Sequence, residues 1–484
     1  MALTMNPKVS VCIVFVAAMF MSIMDTTIVN VALPALGGQF NVASTSIDAV
    51  VVGYMISLAV IIPVSGWLGD RWGTKLIFLS ALALFSLASA LCGLAQNLPM
   101  LIGFRILQGI AGGALTPVGM TILYRTFSPA ERVSVSRVLI IPTVVAPASG
   151  PVIGGFLVQQ LSWRWVFYVN VPIGIAALIF GLLFLQKQPQ EKAVGHFDLA
   201  GFLLAGSGLA LLMYALTEGP TYGWIAPGIL GSGIVGLIIL TLFVVIELRV
   251  KEPMIDLRLL GDRLFCVTNL VTMISGAAFL GVLFVAPLFL QEARGASPLV
   301  SGLTTFPEAI GVMLSTQFVS RLYPKVGPRR LTVFGLTGVA VMMALLSLIG
   351  LDTNLWLMRA FIFLIGAGMA FAFTSTQAAG FTTISPAATG RASALNNAQR
   401  QIGNALGVAV LSTVISIVGP VIVGSHGSIQ PNLTAYHVAF IAAAVLALIS
   451  AGIALLIRDS DAAASMKPHN STKQAVQQEI LLEV

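Results

Sequence analysis

The chain is built from apolar runs of about 20 residues, following one another from near residue 10 to near residue 457 with short polar connectors between them. A run of that length, coiled as a helix, crosses a hydrocarbon layer of roughly 30 Å. Inside that layer a backbone N–H or C=O has no water to bond, so continuous apolar runs of this kind span as helices. The sequence therefore predicts an all-α membrane protein. Charge agrees: 9% of residues are charged, against about 25% in an ordinary soluble domain. That is too few to cover a water-facing surface of this size. A cytosolic enzyme, a nucleic-acid binder and a disordered chain are excluded on the same ground.

Fourteen runs can be placed, and the basic residues test the count. Of the 25 Lys and Arg, all but four lie before the first run, after the last, or in connectors that follow even-numbered runs. Arg164, Arg294 and Arg359 fall on the other side, and Arg105 lies within the fourth run. One helix too many or too few would scramble that separation. Positive charge stays cytoplasmic, so both termini are expected inside a plasma or inner membrane. The net charge of +7 is then a topology signal, not a nucleic-acid footprint. Run 1 has the character of a permanent span and not of a cleaved signal. Cys12, Cys92 and Cys266 sit in separate apolar runs, so no disulfide framework or metal site is expected.

The chain also repeats itself. Gly66-Trp-Leu-Gly-Asp-Arg-Trp-Gly-Thr-Lys75 after run 2 matches Ser320-Arg-Leu-Tyr-Pro-Lys-Val-Gly-Pro-Arg329 after run 10, with Leu, a basic residue, Gly and a second basic residue in register. Thr126-Phe-Ser-Pro-Ala130 matches Thr383-Ile-Ser-Pro-Ala387 at nearly the same separation. Runs 1–6 thus correspond to runs 9–14. The expected organisation is a six-helix bundle over 1–190, two inserted helices over 191–260, a second six-helix bundle over 261–458, and a cytoplasmic tail over 459–484. The connectors at 187–198, with Lys187, Glu191, Lys192 and His196, and at 249–263 are too short to hold a soluble domain. Parallel repeats with a site between them near the midplane describe a rocking secondary transporter.

Charges inside spans mark the candidate site, because each costs about 2.5–3.5 kcal/mol at the centre of a helix on the insertion scale. Run 1 carries Asp25, roughly 13 Å from the outer end, and run 4 carries Arg105, roughly 8 Å from the same face. Their depths permit one polar patch. The matching second-half positions, near Ala278 and Ile362, are apolar. A scaffold need would act on both halves alike, so the asymmetry points to function.

Four blocks of residues give the chain a family resemblance. Met24-Asp-Thr-Thr-Ile-Val-Asn-Val-Ala-Leu-Pro34, the loop glycines and charges Gly66, Asp70, Arg71, Gly73 and Lys75, the helix-4 group Arg105, Gln108 and Gly109, and Gly150-Pro-Val-Ile-Gly-Gly155 together resemble the fourteen-helix drug/proton antiporter branch of the major facilitator superfamily. Trp163-Arg-Trp-Val-Phe-Tyr-Val-Asn-Val-Pro-Ile-Gly174 is also similar to that branch. Thr74 departs from the loop pattern, where a second basic residue is common. The resemblance implies a major facilitator fold of two six-helix bundles plus two inserted helices. It implies proton coupling at Asp25 and Arg105 and substrate contact from Asn30 and Gln108; in the loop from Gly66 to Lys75, Asp70 and Arg71 can pair across the cytoplasmic ends of the bundles as a conformational latch. It also implies an antiporter motif at Gly150, Pro151, Gly154 and Gly155. On physical grounds those glycines form a small-residue face for close helix packing, with Pro151 bending the helix.

Glu308, roughly 12 Å from the outer end of run 10, is the second intramembrane acid. It either meets a cationic substrate, binds a proton, or pairs with an Arg or an amide within the bundle, such as Gln317. Glu218 and Glu292 read as solvated caps near outer ends. Arg400 and Gln401, preceded by Asn396 and Asn397, read as the interfacial start of run 13. The Phe and Met residues are mostly lipid-facing and core, with some available to line an adaptable cavity.

The expectation is a proton-coupled antiporter, working as a monomer in the bilayer, that exports hydrophobic small-molecule drugs, neutral or cationic, by alternating access. A facilitator or importer of a metabolite or lipid on the same fold is the alternative. No cofactor is expected: there is no phosphate-cradling G-x-x-x-x-G-K-[ST] motif. The histidines His196, His426, His437 and His469 are scattered, which argues against an embedded enzyme or a metal site.

Overall fold

The computed structural model describes residues 6–40, 47, 49–128, 131–186, 198–250, 253, 255–385, 388–423 and 429–466. Lys187, Glu191, Lys192, His196, His426 and the tail beyond residue 466 lie outside the described residues, as do Pro129, Ala130, Pro386 and Ala387 of the second loop match.

The first bundle contains α1 (Pro7–Phe40), α2 (Ala49–Trp72), α3 (Thr74–Leu94), α4 (Leu98–Thr126), α5 (Arg132–Gln160) and α6 (Trp165–Phe184). Next come α7 (Leu199–Tyr222) and α8 (Pro227–Glu247). The second bundle contains α9 (Arg263–Leu288), α10 (Pro307–Val326), α11 (Pro328–Leu346), α12 (Leu355–Gly380), α13 (Thr389–Val418) and α14 (Leu433–Ala454). Among the described residues, 12 helices are long and apolar enough to cross a membrane. The other two expected spans are α5, a 29-residue helix, and α10, which continues the short helix Pro298–Thr305 across a break at Phe306. Pro307 supplies no N–H for an uninterrupted ladder, so the break falls there.

Side chains cap the helix starts where the chain turns. Asn97 accepts from Met100 N at α4, Asp198 from Gly201 N at α7, Asp262 from Phe265 N at α9 and Asn432 from Thr434 N at α14. A small antiparallel hairpin, β1 (Val421–Val423) with β2 (Ile429–Pro431), joins α13 to α14. The apolar-run analysis carries no signal for it.

Packing repeats between the bundles. In the first, α2 packs on α4, α3 on α4, α1 on α5, and α6 on α1 and α3; in the second, α10 packs on α12, α11 on α12, α9 on α13, and α14 on α9 and α11. The turn glycines repeat as well. Gly73 before α3 has φ 92° and Gly327 before α11 has φ 86°, a backbone region that side chains with a Cβ avoid. α7 packs on α2 and α13, and α8 packs on α7.

The bundles meet through α13 against α2 and α4, and through α5 against α10 and α12. On the face formed by the connectors after even-numbered helices, here called the basic face, they are in tight contact. A Cβ on Gly66 would stand 2.7 Å from the carbonyl oxygen of Gly390. Ser393 Oγ donates to Pro117 O at 2.9 Å, and the rings of Tyr124 and Phe381 lie 4.4 Å apart. One apolar cluster joins Leu115, Val118 and Ile122 to Phe381, Ile384 and Leu395 across this seam.

One boundary differs in a way that matters. α13 starts at Thr389 and not near 400, so Arg400 is not interfacial. It sits eleven residues along the helix, roughly 16 Å from its start. The amides around it lower the local hydropathy, which is what made this stretch resemble a helix end.

Candidate functional site

Asp25 on α1 is fully buried at 0% exposure, and Arg105 on α4 is 1% exposed. They form an ion pair, Arg105 Nη1 to Asp25 Oδ2, at 2.5 Å. Two amides complete the carboxylate's shell. Gln108 Nε2 donates to Oδ1 at 3.0 Å and Asn170 Nδ2 donates to the same oxygen at 2.8 Å. Gln108 also accepts from Arg105 Nη1 at 2.9 Å, as its place one turn along α4 allows. Asn170 donates to Ser89 Oγ at 3.1 Å, and Ser89 Oγ donates to Phe167 O at 2.8 Å. The Arg105 guanidinium lies over the Tyr54 ring at 4.1 Å, a cation–π contact that holds the charge in an apolar setting.

Helices α1, α3, α4 and α6 therefore close one connected polar network within the first bundle. Charge-assisted bonds of this kind are the strong ones, and removing one partner of a buried pair costs about 3–5 kcal/mol. The second bundle has Ala278 and Ile362, both buried, at the positions matched to Asp25 and Arg105. Gln108 belongs to this network. Asn30, five residues along α1, is exposed and stands outside it. Asn170 went unassigned in the sequence, although it falls within the Trp163–Gly174 block; the available signal was a lone amide in an apolar run.

In the loop after α2 the charges divide differently from a simple cross-bundle latch. Asp70 pairs with Arg125 of α4, in its own bundle, at 2.9 Å. Its carboxylate also stands 3.0 Å from where a Cβ on Gly390 of α13 would be, so Asp70 borders the other bundle's backbone. Lys75 does not reach across. Its Nζ donates to Leu185 O and, at 3.3 Å, to Leu182 O at the end of α6, where a cation complements the free carbonyls. Arg71 is exposed, and Gly73 supplies the turn. Gly66 lies directly against the backbone of Gly390 in the other bundle.

Gly150 and Gly154 face α1 beside Asp25: a Cβ would stand 2.0 Å from Thr27 Oγ1 at Gly150 and 2.9 Å from Ile28 Cγ1 at Gly154. Gly155 has nothing within 4 Å and lies outside that contact. Pro151 is within the helix, but its side chain is not among those described. Gly403 and Gly407 on α13 repeat the spacing against α9, with Cβ positions 2.3 Å from Met273 O and 2.0 Å from Ala277 O. Close packing is thus a property of both bundles.

Glu308 is 7% exposed in the first turn of α10, where the helix dipole favours a carboxylate. It has no hydrogen bond or ion pair among the described residues. Gln317 is exposed and does not pair with it. Glu292 is exposed and accepts from Tyr436 Oη at 3.0 Å. Glu218 is 9% exposed, buried within α7 and not a solvated cap. Among the described residues, no three His, Cys, Asp or Glu side chains converge as a metal site.

A predominantly helical membrane fold of two repeated bundles, with a buried acid–base network in the first, defines the class of a secondary transporter. Residues 15–408 and 270–480 match the Major Facilitator Superfamily model, and the chain belongs to that family. It is 31% identical over 408 residues to the Multidrug resistance protein B homolog of Mycobacterium tuberculosis, covering 83% of this chain and 75% of that one. It is 32% identical over 402 residues to the Multidrug transporter protein MdtP of Bacillus subtilis, covering 83% and 74%. To the Putative multidrug resistance protein MdtD of Serratia proteamaculans it is 32% identical over 423 residues, covering 87% of each. The fold matches the human organic anion transporter MFSD10 with TM-score 0.67 at 15% identity, covering 93% of this chain and 100% of that one. It matches the proton:xylose symporter XylE with TM-score 0.61 at 14% identity, covering 92% and 94%.

Proposed function

We propose that the protein is a proton-coupled antiporter that exports hydrophobic small molecules across the plasma or inner membrane by alternating access, with both termini cytoplasmic. The buried Asp25–Arg105 pair, closed by Gln108 and Asn170, carries this reading. A carboxylate at 0% exposure is a place where one proton changes the balance of a whole bundle. Ionised, Asp25 neutralises Arg105. Protonated, it releases Arg105, which then needs a new partner, and the network must rearrange. A proton entering from the outer side thus biases an equilibrium between two packings.

The relatives named for multidrug resistance support export of chemically varied compounds. Contact between the bundles at the basic face fits a conformation closed on that side, and Asp70, Arg125, Gly66 and Gly390 sit where the seam must part when the bundles rock. Glu308 of the second bundle, unpaired among the described residues, is the proposed contact for a cationic substrate.

The test uses purified protein in proteoliposomes loaded with ethidium. An imposed pH gradient should drive dye movement against its concentration, and collapsing the gradient should stop it. Asp25→Asn should retain dye binding and lose dye-driven proton movement. Full proton movement by that variant would remove Asp25 from the mechanism. Dye equilibration insensitive to the gradient would instead identify a facilitator.

A further inference from the structure

Arg400 lies inside α13, an apolar spanning helix, with no acidic partner among the described residues. It lies seven residues, two turns, beyond Ser393 on the same face of α13, the face from which Ser393 Oγ bonds to Pro117 O of α4. No carboxylate among the described residues lies within ion-pair distance of it. Among the described residues its one side-chain bond runs from Nη2 to Asn397 Oδ1, at 2.9 Å. Nε is buried with no partner, while the residue as a whole is partly exposed. This is the face of α13 that Ser393 turns toward α4 of the first bundle.

The arginine is nonetheless held in place. Asn397, 3% exposed, donates from Nδ2 to Ser393 O at 2.8 Å. The carbonyl of Ser393, the amide of Asn397 and the guanidinium of Arg400 thus form a run of bonds along α13, while the Ser393 hydroxyl separately ties the same face to α4. An unpaired charge at this depth is costly, and a planar fork of free N–H donors matches a carboxylate. Tyr124 of α4 is near enough to act electrostatically on Arg400, and its ring lies 4.4 Å from that of Phe381, so the adjoining surface is aromatic and suits an apolar body.

We propose that Arg400, oriented by Asn397, is the recognition point for an amphiphilic organic acid: a carboxylate on an apolar body, bound between the bundles and apart from the Asp25 network. This rests on the reading of the inter-bundle space as the substrate path. It widens the substrate range from cations to acids, with Glu308 and Arg400 as contacts of opposite sign.

The experiment measures binding of pyrenebutyrate and of its neutral methyl ester to the full-length protein in nanodiscs, corrected for empty nanodiscs. The wild type should prefer the acid by at least about tenfold, a factor equivalent to about 1.4 kcal/mol. Arg400→Gln should abolish that preference. Arg400→Lys, which keeps the charge but not the fork and covers the case in which the Gln variant does not fold, should retain part of it. A wild type without preference, or an Arg400→Gln protein that keeps it, overturns the proposal. Gradient-driven ethidium transport in the same preparation separates the two readings. Transport without acid preference sinks this inference alone, and acid preference without transport sinks the efflux reading alone.

Discussion

Asn170 Nδ2 stands 2.8 Å from Oδ1 of Asp25, so α6 is tied directly to the one buried carboxylate of α1. The bond is charge-assisted, worth about 1.5–3 kcal/mol, and it makes Asn170 part of the proposed coupling unit. Residues acting as a unit are not additive. Asn170→Ala should slow dye-driven proton movement by about tenfold, and Asp25→Asn should abolish it. The double variant should be no worse than Asp25→Asn alone in proteoliposomes. Independent, multiplying losses in residual dye exchange would place Asn170 outside the unit.

The same network predicts a stability signature. Asp25→Asn leaves Arg105 buried without a counter-charge, and breaking a buried pair this way costs about 3–5 kcal/mol. Adding Arg105→Gln removes the stranded charge, so Asp25→Asn/Arg105→Gln should recover much of the loss. Denaturant unfolding in detergent reads this directly. A double variant less stable than Asp25→Asn would mean that Arg105 is held chiefly by Gln108 and Tyr54.

Glycines in α5 divide into two kinds. Gly150→Ala forces a methyl group into Thr27 Oγ1 at 2.0 Å, whereas Gly155→Ala meets nothing within 4 Å. Overpacking of a tight contact typically costs about 1–3 kcal/mol. Gly150→Ala should therefore lower the unfolding temperature and transport together, while Gly155→Ala should match the wild type in both. An inactive but stable Gly155→Ala protein would give that residue a role in transport that packing does not explain.

Much of this was legible in the sequence because charge in an apolar run is conspicuous. Asp25 and Arg105 stood out, their depths agreed, and they meet. The helix count followed from run length and the sorting of basic residues, and the family from the four motif blocks. Neutral amides were harder. Asn170 and Gln108 carry no charge to betray a buried role, and only the packing of α6 against α1 and α3 brings Asn170 to Asp25. Arg400 was misplaced for the opposite reason: Asn396, Asn397, Gln399 and Gln401 around it depress hydropathy, so a helix interior resembled an end. Partner choice was likewise invisible, since Asp70 could reach several basic residues by spacing and takes Arg125 in its own bundle.

At the basic face, Glu131 offers a pH test outside the membrane spans. Burial pushes its carboxyl up, but bonds from Lys8 and from the amide and hydroxyl of Ser128 outweigh this and hold it below its ordinary value of 4.5. A depressed carboxyl stabilises the folded state above its ordinary value and loses that effect as pH falls through the folded one. Lys8 is 42% exposed, so the contribution is within about 1 kcal/mol. Glu131→Gln should be slightly less stable than the wild type at pH 7, with the difference closing below pH 4.5. A gap that persists at acid pH would assign the effect to the Ser128 turn and not to charge.

Glu308 gives the sharpest test of substrate charge. It is buried in the first turn of α10, just after the break at Phe306, and unpaired among the described residues. The helix start eases its charge, but no side chain among those described neutralises it. In a low-dielectric site an opposite charge on the substrate would interact strongly with it, so Glu308→Gln should cut export of a lipophilic cation such as ethidium by about tenfold or more. A neutral compound of similar size should be spared. Equal losses for both compounds at normal expression would move Glu308 into the proton-coupling machinery beside Asp25. A fall in expression before either loss would make it a structural acid that stabilises the broken helix.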